Sequence, residues 1–155
     1  MTCNEWNSCT ELKGTSKHAA LICAMMLSFQ TTPLDSAMFY DAQCTASTYA
    51  SLFNPLTKTP YPAYYAFKAF NELYKLGEEV EINTDDSALY ALAAKGDGKG
   101  CLVIANPTDE DAPLTISSIG RITECYETAD GRCEEKTALP AVVSRNSFLA
   151  VHFDI

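Results

Sequence analysis

Residues 87–105, SALYALAAKGDGKGCLVIA, decide the fold of the second half of this chain. Two apolar runs, Ser87–Ala94 and Cys101–Ala105, flank the turn sequence KGDGKG. An Asp-Gly pair between apolar segments is among the strongest short-range signals for a β-hairpin. The stretch therefore predicts two antiparallel strands joined by a tight turn.

The residues after this hairpin continue the strand pattern. Pro113–Ile119 alternates between apolar and polar residues, Ile122–Glu127 is followed by the turn Asp130-Gly131, and Ser147–Phe153 is an apolar closing run. Short strands separated by Gly, Asp and Pro turns are typical of antiparallel sheets. We predict that residues 78–155 form a small antiparallel β-sandwich.

Before Gly77 the periodicity is helical. Ser16–Gln30 is apolar nearly all round, with Ser16 as a possible N-cap, and Pro62–Leu76 has Pro62 in its first turn and Gly77 as its stop. Between them, Ser36–Tyr40 predicts a short buried strand. The whole chain is therefore predicted to be α+β, with a mainly helical part at 1–77 followed by the β-sandwich at 78–155.

Length and charge exclude several classes of protein. The 155 residues are too few for a complete eight-stranded α/β barrel, which needs about 250. The 20 acidic residues outnumber 11 basic ones, and the net charge of −9 disfavours nucleic acid and membrane surfaces as partners. The N-terminus lacks the basic and apolar regions of a signal peptide, and Ala19–Leu27 is far shorter than the roughly 20 residues of a membrane span. A cytoplasmic location is the default expectation.

The cysteines and histidines do not predict a metal site. The seven cysteines are odd in number and contain no CxxC pair, so neither a zinc ribbon nor a dense disulfide framework fits. Cys23 and Cys101 lie in apolar runs and are expected to be buried thiols. His18 is expected to face solvent in the first turn of its helix, and His152 to point outward from the last strand. We predict no metal and no cofactor.

The short string Asn4-Glu5-Trp6-Asn7 predicts little by itself, but the order of the segments that follow it in the sequence is informative. The ordered set is CNEWNS at 3–8, a helix at 16–30, AMFYD at 37–41, TPYPAYYAF at 59–67 with NEL at 71–73, LVIAN at 102–106 and FLAVHF at 148–153. Read together, these segments resemble the C-terminal portion of a retaining glycoside hydrolase built on the (β/α)8 barrel, most like family 39 xylosidases. The resemblance implies that residues 1–77 are the last α/β units of a barrel.

The resemblance also implies a site. Glu5 matches the nucleophilic glutamate at the end of the seventh strand, and Asn4, Trp6, Tyr40 and Asp41 would be substrate-binding residues. Asn4 departs from the threonine usual in this string. Asp41 closes a strand and could equally be an ordinary turn residue. The partner acid/base glutamate of such enzymes would lie before Met1, so we expect a truncated fragment without activity of its own.

Two alternatives stay open. The chain could be a non-enzymatic β-sandwich module that binds carbohydrate or a protein partner, or a domain without surviving activity. Tyr61, Tyr64 and Tyr65 could form a platform for a sugar, but their helical spacing beside Phe67 favours a role in the core. Because Ala19–Leu27 is so apolar, we also expect a homo-oligomer, or association with the missing upstream barrel portion.

Overall fold

The computed structural model describes residues 1–42, 49–85, 88–117 and 119–155. In chain order the elements are β1 (Thr2–Trp6), a 3-10 turn (Thr10–Leu12), α1 (Ser16–Phe29), β2 (Ser36–Phe39), α2 (Pro62–Leu76), β3 (Glu78–Val80), β4 (Tyr90–Gly96), β5 (Lys99–Asn106), β6 (Ala112–Pro113), β7 (Arg121–Ala129), β8 (Arg132–Thr137), β9 (Val142–Val143) and β10 (Ser147–Asp154). Helices in the first half and antiparallel strands in the second confirm the predicted α+β class.

The main sheet has six strands in the order β3-β4-β5-β10-β7-β8, and every neighbouring pair is antiparallel. A short antiparallel pair, β6 with β9, forms a second small sheet. Asp97 and Gly98 join β4 to β5 with φ of 52° and 73°. Positive φ at both central residues is what a type I′ hairpin turn requires, which is why the Asp-Gly pair predicted this hairpin correctly.

The segment 113–119 was predicted as a strand, and that prediction is wrong for most of it. Only Pro113 belongs to a strand, where it pairs with Val142, while 114–117 and 119 lie outside the strands and residue 118 outside the described ranges. Leu114, Ile116 and Ile119 are half-buried against the core cluster that contains Leu149. The apolar alternation therefore belongs to a covering loop whose side chains reach the sheet.

Helix α1 begins at Ser16, but its cap is the residue before. The side-chain oxygen of Thr15 accepts a hydrogen bond from the backbone N–H of His18 at 3.1 Å, so the prediction of Ser16 as the cap is wrong by one residue. The helix packs on α2 and on the sheet strands β4, β5 and β10. These contacts bury most of the apolar residues of α1, and the homo-oligomer stays a prediction.

Helix α2 has the predicted bounds. Gly77 adopts a left-handed conformation, with φ of 85°, and its N–H donates to the carbonyl oxygen of Leu73. Ala63, Ala66, Ala69 and Leu73 form a buried stripe at helical spacing. Alanines along this stripe allow the helix to lie close to α1 and to the sheet.

Two apolar cores lie on the two faces of the six-stranded sheet. The larger contains residues of both helices together with sheet residues such as Val103 and Phe148, and the smaller is built around Leu149 and Val151. Cys23 and Cys101 are buried, as predicted, and burial raises the pKa of the Cys101 thiol to about 12. Cys44 lies outside the described residues.

Candidate functional site

The ends of β1 and β2 lie side by side. The two strands are parallel, Trp6 pairs with Phe39, and the backbone N–H of Tyr40 donates to the carbonyl oxygen of Trp6 at 3.1 Å. The residues around Glu5 and those around Tyr40 therefore lie at the same, carboxyl end of this small sheet. In α/β folds, catalytic groups concentrate at that end of parallel strands.

A β-bulge displays Asn4 and Glu5. Between the pairs Cys3–Ala37 and Trp6–Phe39, β1 advances three residues while β2 advances two. The extra residue lets both Cys3 and Trp6 pack toward the helices, and it leaves Asn4 and Glu5 exposed. Bulges are frequent at barrel rims and beside active sites, where they redirect a side chain.

Trp6 lies on the other side of this strand, in the core. Its ring contacts Phe29 of α1, Phe39 of β2 and Phe67 of α2, with centroid distances of 5.1, 5.2 and 6.1 Å, and only 8% of the residue is exposed. The structure thus brings Asn4 and Glu5 together on one surface but places the Trp6 ring among the helices. In this position the ring anchors β1 to the core.

Tyr40 and Asp41 follow directly after β2. Tyr40 is 41% exposed, and its ring stands edge to face with that of Tyr49 at a centroid distance of 5.0 Å. The Oδ1 atom of Asp41 is buried and has no hydrogen-bond partner among the described residues. These two residues therefore place a partly exposed aromatic ring and a partly buried carboxyl group beside the end of β1.

Asn7 connects the loops of this site, and sequence reasoning did not predict its role. Its Nδ2 donates to the carbonyl oxygens of Tyr40 at 2.6 Å and Ala50 at 2.9 Å. Its Oδ1 accepts from the backbone N–H of Ser8 at 2.7 Å and lies 3.0 Å from Nε2 of His18. One amide thus joins the segment after β1 to the end of β2, to the loop after it and to α1.

His18 is fully buried, so the expectation that it faces solvent is wrong. Because Nδ2 of Asn7 donates to two carbonyl oxygens, the side-chain atom that faces His18 is Oδ1, which can only accept a hydrogen bond. Nε2 of His18 must therefore carry the proton. Nδ1 is buried without a partner in the described part of the chain. Burial lowers the pKa of His18 to about 4, so the neutral ring is the folded form.

The buried neutral His18 predicts acid sensitivity. The pKa of His18 is lower in the folded chain than the ordinary 6.5, so the unfolded chain takes up a proton first as the pH falls. The contribution of neutral His18 to the free energy of unfolding is therefore complete above pH 6.5 and is lost as the pH falls toward 4. Between about pH 7.5 and about pH 4.5, we expect the free energy of unfolding to fall by about 2 kcal/mol more in the wild type than in His18→Gln. Urea denaturation at both pH values measures this difference. Parallel losses in the two proteins would contradict it.

The described ranges show neither a metal centre nor a membrane helix. No group of three or more His, Cys, Asp or Glu side chains there is arranged to hold a metal ion. Within the same ranges, no helix is long and apolar enough to cross a membrane.

Comparisons with known proteins give structural relatives alone. No family model matches this chain, and no curated protein matches it. A family 30 subfamily 8 xylanase from Clostridium acetobutylicum superposes with a TM-score of 0.74 at 14% identity, over 99% of this chain and 42% of the xylanase. A family 30 xylanase C catalytic domain from Talaromyces cellulolyticus gives 0.71 at 14% identity, over 99% and 38%. A family 39 enzyme from Xanthomonas axonopodis pv. citri gives 0.62 at 14% identity, over 97% and 44%.

These likenesses establish the fold. Nearly the whole of this chain has the architecture of part of a glycoside hydrolase, and it spans about two fifths of the length of the family 30 xylanases it matches. At 14% identity the similarity shows a shared arrangement of helices and strands, and it does not show a shared activity.

Proposed function

We propose that this chain is the nucleophile-bearing part of a retaining glycoside hydrolase, with Glu5 as the nucleophile. The observation that carries the proposal is the bulge in β1, which exposes Asn4 and Glu5 at the carboxyl end of a parallel strand pair, next to Tyr40 and Asp41. Two further points support it: the resemblance in sequence implies this role for Glu5, and the fold is similar to that of glycoside hydrolases.

The reaction needs two carboxyl groups about 5–5.5 Å apart. In the first step an Oε atom of Glu5 attacks the anomeric carbon while the second carboxyl group donates its proton to the departing glycosidic oxygen. In the second step that same group, now a carboxylate, takes a proton from water. The water oxygen bonds to the anomeric carbon, and the ester bond to Glu5 breaks. Configuration at the anomeric carbon is retained because it inverts twice.

The second carboxyl group is proposed to come from strands outside this chain, either earlier in a longer polypeptide or in a partner. In the described residues, β1 pairs with β2 alone, so both outer edges of this parallel pair are open. Parallel strands are normally buried within larger sheets. A groove of about 390 Å³ lies beside the same pair, and its mixed lining includes Met26, Phe29, Phe67 and Phe70. Further strands of a barrel would cover both features.

The narrower family assignment rests on the motifs alone. The sequence most resembles family 39 xylosidases, whereas the family 30 xylanases superpose with the higher TM-scores. Xylosides are therefore the first substrates to test, followed by glucosides, galactosides and arabinosides.

The test compares the chain alone with a fusion protein. In the fusion, this chain replaces the matching 42% of the Clostridium acetobutylicum xylanase. We expect no hydrolysis of aryl β-glycosides by the chain alone, because the strands proposed to complete the sugar pocket around Glu5 and to carry the second carboxyl group lie outside it. We expect turnover by the fusion. Turnover by the isolated chain at the rate of the fusion would show that the second carboxyl group lies within it and would overturn this part of the proposal.

A further inference from the structure

A second cleft lies on the helix side of the main sheet, where α2 covers strands β7, β8 and β10 only in part. Every second side chain of β7 and of β10 points to this side of the sheet. Ala150 of β10 pairs with Tyr126 of β7, and both residues line the cleft. Tyr65, on α2, faces them across the opening. The cleft has a volume of about 320 Å³ and includes none of the residues of the Glu5 site.

The floor of the cleft is apolar and its walls are aromatic. Phe148 and Ala150 are buried at 3% and 7% exposure and form part of the floor. The rings of Tyr65 and Tyr126 are half-buried, and the ring of His152 stands edge to face with Tyr126 at 5.9 Å. Tyrosine rings at such a site present apolar faces together with a polar hydroxyl group.

The carboxylates that line the cleft are already paired, although Lys68 is the only one of their lysine partners that also lines it. Its three carboxylates each have a lysine partner: Glu134 with Lys68 at 2.7 Å, Glu124 with Lys136 at 2.8 Å and Glu72 with Lys75 at 3.2 Å. Glu124 also accepts a hydrogen bond from the Tyr126 hydroxyl at 3.0 Å.

This pairing selects the class of ligand. An anion or a cation would have to compete with an existing ion pair. A neutral polyhydroxylated molecule would not, because each carboxylate keeps lone pairs that can accept from further hydroxyl groups.

We propose that this cleft binds a neutral saccharide of one or two rings. The C–H face of the sugar would stack on the ring of Tyr126 or Tyr65, and its hydroxyl groups would donate to Glu134 and Glu72 and accept from Lys68. The volume lies at the lower end of the range for small-molecule sites, which fits a ligand of this size. The site would hold saccharide away from Glu5, and it does not depend on the function proposed for Glu5.

The experiment is an NMR titration of the complete chain with xylobiose and with cellobiose. We expect the backbone amide shifts of Tyr65, Tyr126 and Ala150 to move with saturable dependence on at least one of these sugars. Tyr126→Ala should weaken binding about tenfold, because it removes the stacking ring. The matched control is Tyr90→Ala on β4 of the same sheet. Tyr90 is 40% exposed and does not line the cleft, so its replacement should leave binding unchanged.

Two further variants test whether the sugar binds in this cleft. Tyr65→Ala, on α2, removes the facing ring and should also weaken binding, and it replaces Tyr126→Ala if that variant does not fold. Glu5→Gln should bind normally, which separates this proposal from the one for the barrel site. The proposal is overturned if neither sugar moves these amides at millimolar concentration, if the tyrosine variants bind like the wild type, or if choline or acetate binds there while both sugars do not.

Discussion

Glu5→Gln is expected to lower kcat of the fusion protein on aryl β-xylosides at least about a thousandfold. The amide keeps the size and much of the hydrogen bonding of glutamate, but it cannot form the glycosyl ester on which the retaining route depends. Steady-state kinetics with a good leaving group measures the loss, since such a substrate needs little help from the acid and reports mainly on the attacking group.

The control for this loss is Glu11→Gln. Glu11 is an exposed carboxylate in the 3-10 turn that follows the site, so its replacement removes the same charge from the same region. We expect kcat of Glu11→Gln to stay within about twofold of the unsubstituted fusion. If Glu5→Gln retained a comparable rate, another residue would be the nucleophile.

Asn7→Ala is expected to lower the free energy of unfolding of the chain by about 3 kcal/mol. The substitution leaves Nε2 of the fully buried His18 and the carbonyl oxygens of Tyr40 and Ala50 without the amide that satisfies them. A loss of this size is a large part of the total stability of a small protein. Urea denaturation at neutral pH measures it.

The matched substitution is Asn71→Ala on the exposed surface of α2. It removes the same side chain from a helix, where alanine is the better helix former, and we expect a change of no more than about 0.5 kcal/mol. Equal effects at the two positions would mean that the Asn7 hydrogen bonds contribute little to stability.

The parts of the fold set by local chemistry were predictable from the sequence. The turn at Asp97-Gly98 and the end of α2 at Gly77 both require positive φ. Gly and the Asp-Gly pair are the residue types that favour this conformation, so they predict both features. The α+β class followed from the change of periodicity near Gly77, whereas the division into parts at 1–77 and 78–155 stays a prediction.

Features set by tertiary contacts could not be read from the sequence. The bulge at Asn4 and Glu5 exists because Cys3 and Trp6 both pack on the helices. None of the residue types in this segment signals a bulge. His18 is buried with a hydrogen-bond partner, Asn7, that lies outside its helix. The loop at 114–117 alternates like a strand because its apolar side chains cover the sheet.

The central claim is that Glu5 attacks the anomeric carbon, and azide tests it most directly. In the fusion carrying Glu5→Ala, azide has room to attack from the side of the missing carboxylate. The account predicts that sodium azide restores turnover of an aryl β-xyloside and yields the α-xylosyl azide, whose anomeric configuration is inverted once. Full activity of Glu5→Ala without azide, or rescue that yields the β-xylosyl azide, would contradict the assignment of Glu5 as the nucleophile.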